Sequence, residues 1–202
     1  MLTIALPKGR IADETLDRFE KAFGEKFVFE DRKLILEKSG FKFLNVRNQD
    51  VTNYVMHGAA DLGVVGLDVL EEKEYDLIKL LDLKLGRCKV AFGLRAGEKL
   101  NFDKSKITIA TKHEKIAKKY FEQKAMAVEI IKLYGSIELA PLVGLCDCIV
   151  DIVETGETMK QNGLEVGPTI METTAHLIAN KNSFYAKKDL IFDLKDKLEK
   201  FL

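Results

Sequence analysis

What the chain has little of narrows its class. There is no tryptophan, and the 32 basic and 32 acidic residues leave a formal net charge of zero. Nucleic-acid binders need a surplus of cations on one face, so a nucleic-acid partner is disfavoured on charge, and the missing tryptophan points the same way. No apolar run approaches the ~20 residues that cross a bilayer. The apolar stretch ahead of Pro7-Lys8-Gly9-Arg10 is too short for the core of a secretion signal. A soluble, cytoplasmic protein is therefore expected. Only three cysteines occur: Cys88, Cys146 and Cys148. They cannot complete a set of disulfides, and they fit a reducing compartment. Cys146 and Cys148 read as small core thiols rather than a redox or metal pair. His57, His113 and His176 are scattered and lack the spacing of metal ligands.

What is present is an ordinary globular composition, 47% apolar, with strands and helices alternating along almost the whole chain. Alternation of this kind argues for a parallel or mostly parallel α/β sheet. Strands are expected at 2–6, 33–37, 41–46, 62–65, 88–94, 107–110, 127–132 and 148–152. Residues 75–85 are a long apolar stretch with lysines interspersed, and consecutive extended segments are expected at 164–170 and 173–179. Helices are expected at 11–23, 50–57, 68–73, 113–123, 137–145 and 189–202, with a short one ending near Gly163. Residues 90–170 hold a βαβ set of their own. Two α/β lobes are expected: lobe I from 1–89 plus 171–202, and lobe II from 90–170. A cleft between lobes is a common place for a ligand.

The richest stretch is 151–159, Asp-Ile-Val-Glu-Thr-Gly-Glu-Thr-Met. Ile149 and Val150 end a buried strand, Asp151 sits at its carboxyl end, and Thr155-Gly156-Glu157-Thr158 turns into a helix. The first amides of a helix lack intrahelical acceptors and point outward, so the turn is suited to an anion. Gly156 lets the backbone approach a phosphate closely, and Thr155 and Thr158 add hydroxyl donors. An acid just ahead of such a loop can hold sugar hydroxyls or a metal ion. The combination suits a ribose 5-phosphate better than a triphosphate, which calls for the Gly-Lys-Ser/Thr ending of a Walker loop. Chain reversal alone is the plain alternative for any Thr-Gly turn.

Four further groups stand at strand ends or nearby. Lys8-Gly9-Arg10 follows the first strand, a ligand-facing place in open α/β sheets. There the forked donors of Arg10 and the point charge of Lys8 suit polyphosphate, or else form a solvated basic turn. Arg47 could reach a phosphate or carboxylate, while Asp50 reads as a helix cap. Asp68 follows a glycine-rich strand and could also cap. Glu138 lies ahead of the anion strand, and with Asp151 it could bind ribose hydroxyls or Mg²⁺; a surface position is its plainer reading.

Together these residues resemble a known family. Glu138, Gly144, Ile149, Asp151, Ile152, Thr155, Gly156, Thr158 and Met159 match the spaced signature of the ATP phosphoribosyltransferases. The resemblance also covers Ala5 to Arg10, Arg47 to Asp50, Ala60-Asp61-Leu62-Gly63 with Gly66 and Asp68, and Gly86-Arg87-Cys88. Cys146 departs from it, standing where the family prefers Ser, Ala or Gly. The resemblance implies an α/β, two-lobed fold similar to type II periplasmic binding proteins, with the ligand in the cleft between lobes. It implies condensation of ATP with 5-phosphoribosyl 1-pyrophosphate, with Mg²⁺, as the first step of histidine biosynthesis. For residues it implies Arg10 and Asp151 as catalytic. It implies Lys8, Arg47, Asp68, Glu138, Glu154, Thr155, Gly156, Glu157 and Thr158 as substrate-binding, and Glu138 and Asp151 as metal-holding through the substrate. The chain ends after a helix that would complete lobe I, which resembles the short form of the family. Such forms work with a histidyl-tRNA-synthetase-like regulatory subunit in a hetero-octamer.

Two rival functions share parts of this pattern. Salvage phosphoribosyltransferases also use an acid ahead of a Thr-Gly loop, but typically two adjacent acids, whereas here Ile152 follows Asp151. A solute receptor could share the two-lobed fold without chemistry, but it would not need the Asp…Thr-Gly-x-Thr loop.

Overall fold

The chain opens on an apolar strand whose neighbours arrive later in sequence. In the computed structural model, which describes residues 1–202, β1 (Leu2–Pro7) is followed by α1 (Arg10–Phe23). Helix α1 buries Ala12, Thr15, Leu16 and Phe19 on one face, the spacing of an amphipathic helix laid on a sheet. Then come β2 (Ile35–Lys38), β3 (Phe41–Val46), α2 (Val51–Met56), β4 (Leu62–Gly66), α3 (Leu67–Lys73) and the long β5 (Ile78–Arg95). The second half contains β6 (Ile107–Thr111), α4 (Glu114–Glu122), β7 (Val128–Lys132), α5 (Leu139–Leu142), β8 (Cys148–Val153) and α6 (Glu157–Gln161). It closes with β9 (Leu164–Ala179), α7 (Lys181–Ala186) and α8 (Lys188–Glu199).

The chain divides into two compact units, Met1–Gly86 with Thr174–Leu202, and Arg87–Thr173. In the first unit the strands run β2-β3-β1-β4-β9. Strand β1 pairs parallel with β3 and β4, while β2 pairs antiparallel with β3 and β9 antiparallel with β4. Its core is built on phenylalanine: Phe19 meets the rings of Phe41 and Phe43 edge-on at 5.3 and 5.0 Å, a favourable aromatic geometry. Gly63 has no room for a side chain, since a Cβ there would lie 2.7 Å from Val55 and 2.8 Å from Val51. That absence lets α2 lie directly on β4.

In the second unit β5 is followed by β8, β6 and β7. The β8-β6-β7 pairings are parallel and β5 is antiparallel to β8. Strand β8 is covered on both faces. Cys148 and Val150 pack with Phe92, Ile109 and Phe121, while Ile149 and Val153 pack with Ala110, Met159 and Leu164.

Strands β5 and β9 each run unbroken where the sequence suggests two segments. Lys84 and Gly86 both take positive φ inside β5, so a polar, glycine-marked stretch is a bend in one strand and not its end. Helix α5 is a single turn, shorter than the expected 137–145, because Gly144 takes a positive φ and stops it. Helix α7 was not expected from sequence. Its signal is Asn180, whose Oδ1 accepts from Ser183 N–H at 3.0 Å as an N-cap. No helix is long and apolar enough to cross a membrane.

Cys146 and Cys148 are both buried, as expected for core thiols, and Cys88 is partly exposed. Burial pushes the Cys148 thiol up to about 12, and burial also raises Cys146. Thiolates are the reactive form. A maleimide titration at pH 7.5 is expected to label Cys88 rapidly and the other two only after denaturation. Fast labelling of all three in the native protein would contradict this packing.

Candidate active site

Two strand ends and one turn build the main site, all within the second unit. β6 and β8 are parallel neighbours with Thr111 opposite Val150, so their carboxyl ends lie together. That rim is where open α/β sheets place ligands. Asp151 stands on β8 one residue beyond Val150, and the chain then leaves the strand through Glu154, Thr155 and Gly156 into α6.

Gly156 is the N-cap of α6, with φ 83° and ψ 0°. This left-handed conformation strains any residue with a Cβ, and a Cβ here would also meet Val166 at 2.9 Å. Thr155 Oγ1 accepts from Glu157 N–H at 3.3 Å, a small turn that orders the loop. Met159 is buried and anchors the helix from below.

The carboxylates of Glu138, Asp151 and Glu154 and the hydroxyls of Thr155 and Thr158 line one pocket of about 360 Å³, with Gly156 in its floor. Glu157 is left out of that lining. Its side chain is exposed and its Oε1 accepts from Gln161 Nε2 at 3.0 Å, so it runs along the helix away from the pocket.

Three lining or flanking residues are not among the site residues expected from the sequence. Cys88 lines the pocket beside Asp151. Lys112 Nζ lies 3.1 Å from Asp151 Oδ1, and His113 Nε2 lies 3.8 Å from the same oxygen. Their signal was positional: Lys112-His113 directly follows a strand expected to be parallel to that of Asp151.

Lys8, Arg10, Arg47 and Asp68 belong to the first unit. They gather at its own carboxyl-end rim, because β3, β1 and β4 are parallel neighbours. Lys8 N–H donates to Val46 O at 2.8 Å, tying the start of the basic turn to the end of β3. Lys8 and Arg47 are exposed. Arg10 is half exposed, with its Nε 3.5 Å from Glu14 Oε1. Asp68 is buried at 3% exposure. Asp50 stands at the N-cap of α2 without a side-chain capping bond, and the N-cap of α3 is Gly66, with Asp68 inside the first turn, so the capping role read for the two acids does not hold.

The donor set sets limits on a magnesium ion. Glu138 and Asp151 line one pocket, but the inner oxygen of Asp151 already faces the Lys112 ammonium. A resident ion would want more oxygens than these two residues offer. Mg²⁺ commonly binds through one or two carboxylates plus substrate oxygens and water. The residues therefore fit an ion that arrives with a phosphorylated substrate.

Comparison with known proteins decides the family. The family model described as HisG, ATP phosphoribosyltransferase, matches residues 47–200. The chain belongs to the ATP phosphoribosyltransferase family. The enzyme of that name from Wolinella succinogenes is 66% identical over 200 residues, covering 99% of this chain and 97% of the relative. That from Sulfurovum sp. is 64% identical over 199 residues, covering 98% and 97%. Among solved structures, the ATP phosphoribosyl transferase (HisG:HisZ) complex from Thermotoga maritima contains a chain with a TM-score of 0.84 and 35% identity, the match covering 99% of this chain and 98% of that one. The periplasmic aliphatic sulphonate binding protein SsuA from Escherichia coli matches with a TM-score of 0.62 at 12% identity, covering 98% of this chain and 71% of that one. The α/β fold is thus the one seen in periplasmic binding proteins, as expected from the resemblance.

Proposed function

We infer that the chain condenses ATP with 5-phosphoribosyl 1-pyrophosphate, giving N1-(5-phosphoribosyl)-ATP and pyrophosphate, the first step of histidine biosynthesis. Family membership supports the reaction. The observation that carries the site reading is the pocket in which Asp151 and the Thr155–Thr158 turn meet.

The reaction breaks the bond between C1 of the ribose and the pyrophosphate oxygen, and forms one from adenine N1 to C1. Adenine N1 carries no proton, so no general base is needed at the nucleophile. Positive charge builds on the ribose as negative charge builds on the leaving group. Catalysis then rests on alignment and on fixed charges placed where charge develops.

The turn at Thr155–Thr158 receives the 5-phosphate through its hydroxyls and the close-approaching backbone at Gly156. Asp151 holds ribose hydroxyls, with Glu138 and Glu154 on the same wall. Glu157, with its side chain directed along α6, is assigned no direct contact. Magnesium, when bound with the donor, would be held by Glu138 and Asp151 and would offset charge on the pyrophosphate. The cations of the first unit, Lys8, Arg10 and Arg47, supply charge for the pyrophosphate or the ATP phosphates, and Asp68 adds an acceptor.

A regulatory subunit resembling a histidyl-tRNA synthetase is the partner we assign, in a hetero-octamer. The Thermotoga maritima relative, solved as a HisG:HisZ complex, supports a second subunit as partner. A cytoplasmic setting follows from the biosynthetic role.

Pyrophosphate release from ATP plus 5-phosphoribosyl 1-pyrophosphate, with and without the regulatory subunit, tests this reading. Release with ATP and not with free purine or pyrimidine bases is expected, and no turnover under either condition overturns it. Arg10→Ala is expected to lower kcat/KM roughly twentyfold, about 2 kcal/mol of transition-state stabilisation. Unchanged kinetics would remove Arg10 from the site.

A further inference from the structure

Lys112 comes directly after β6, and Asp151 comes one residue after Val150 on β8. Because Thr111 pairs with Val150 in parallel register, the fold sets these two side chains next to each other. The ammonium of Lys112 is 3.1 Å from Asp151 Oδ1. That oxygen is buried and takes no hydrogen bond, so its contact with Lys112 is an ion pair, while Asp151 as a residue lines the pocket. One carboxylate oxygen therefore turns inward to Lys112, and the other supplies the polar surface on the pocket side.

The support beneath this pair is rigid. Thr111 Oγ1 donates to Val150 O at 2.6 Å and accepts from His113 N–H at 2.8 Å. The strand end that carries Lys112 is thus stitched to the strand end that carries Asp151. His113 is 1% exposed, with Nε2 3.8 Å from the same inner oxygen, and packs beside it. Lys112 does not share the pocket lining with Thr155, Gly156 and Thr158. Its reach is toward the carboxylate and away from the phosphate turn.

We propose that Lys112 is a positioning residue for phosphoribosyl transfer: it clamps the inner oxygen of Asp151 so that the outer oxygen is presented to the ribose hydroxyls of the donor. This rests on the reading of Asp151 as the ribose-binding acid. The terminal torsion of an aspartate is broad and nearly two-fold, so an unclamped carboxylate would rotate and offer its lone pairs in many directions. An ammonium held this close to a buried carboxylate oxygen attracts it more strongly than it would in bulk water. Held on one side, the carboxylate is ordered before the donor arrives, and less ordering is left for the binding step.

The test uses the chain with its regulatory subunit, magnesium and 5-phosphoribosyl 1-pyrophosphate, and reads donor Kd by calorimetry together with steady-state kinetics. Lys112→Met is expected to raise the donor Kd and KM about tenfold while the KM for ATP stays within about twofold. Lys112→Arg, which keeps the charge, is expected to recover most of that loss. In an Asp151→Asn background, adding Lys112→Met should change the donor Kd less than about twofold, because the group it positions no longer carries the charge. If the methionine variant folds poorly, Lys112→Gln is read in its place. Additive effects in the double variant, or a loss confined to ATP, overturn the proposal. A normal donor Kd for Asp151→Asn overturns the ribose reading itself. A weakened Asp151→Asn beside an unaffected Lys112→Met overturns only the role of Lys112.

Discussion

Gly156→Val is expected to lose about a hundredfold in kcat/KM for the phosphoribosyl donor, close to 3 kcal/mol, with the loss carried mainly by donor KM. The argument is local. Gly156 sits at φ 83° and ψ 0° as the N-cap of a five-residue helix. A non-glycine residue held in that region costs on the order of 1–3 kcal/mol, and a β-branched one sits at the upper end. The new Cβ would also lie 2.9 Å from Val166 Cγ2. The cheapest escape is for the turn to move to negative φ, which rotates the amides of residues 156–158 away from the pocket. The fold should survive, since the core on both faces of β8 is untouched. Circular dichroism and a melting curve check that part. Donor KM within a factor of about two of the parent would show that this turn is not the phosphate seat.

The largest expected effect on stability comes from Asp61→Ala, a loss of about 3 kcal/mol. Asp61 is 8% exposed. It accepts from Thr3 N–H at 2.8 Å and from Lys187 Nζ at 2.8 Å on both oxygens. Removing the carboxylate strands a backbone amide of β1 and leaves the Lys187 ammonium half buried without its partner. A denaturant titration with an unchanged slope reads the loss, and a shift below about 0.5 kcal/mol would contradict it.

The same contact carries a pH signature. Burial raises the Asp61 carboxyl, but hydrogen bonds from Lys187 and Thr3 outweigh burial and hold it below the usual range. Asp82 behaves likewise: burial is opposed by Lys84 and Thr174, and its carboxyl is lowered to about 2. A folded value below the unfolded one, about 4, gives stability present above pH 4 and lost as the pH falls through the folded value. The parent protein should therefore lose stability between about pH 4 and pH 2, and Asp61→Ala should lose less over that window.

How far the sequence could be read depended on whether the relevant residues were contiguous. β1, β3 and β6 were legible because each is a short apolar run closed by polar residues. The turn from β8 into α6 was legible because acid, threonines and glycine fall within one nine-residue stretch. Both β5 and β9 look broken in the sequence, β5 because the bends at Lys84 and Gly86 resemble ends, and only the sheet order shows each as one strand. The crossing points between units fall at 86/87 and 173/174, each three residues from the 89/90 and 170/171 expected from the strand–helix pattern. Lys112 was invisible as a site residue for a different reason. Its nearness to Asp151 comes from a strand register that joins positions 39 apart in sequence.

The first unit draws its core from both ends of the chain. Phe19, Phe43 and Leu62 are made early, while Leu177, Ile191, Leu194 and Leu198 of the same cluster come last. During synthesis the nascent β1–β4 sheet thus waits with one apolar side unpaired while the whole second unit is translated. At about 5–20 residues per second that interval is on the order of ten seconds. The late-arriving terminal helix is the latch of this fold, and a ribosome stalled before it would hold out a sticky, half-dressed intermediate for chaperones to cover.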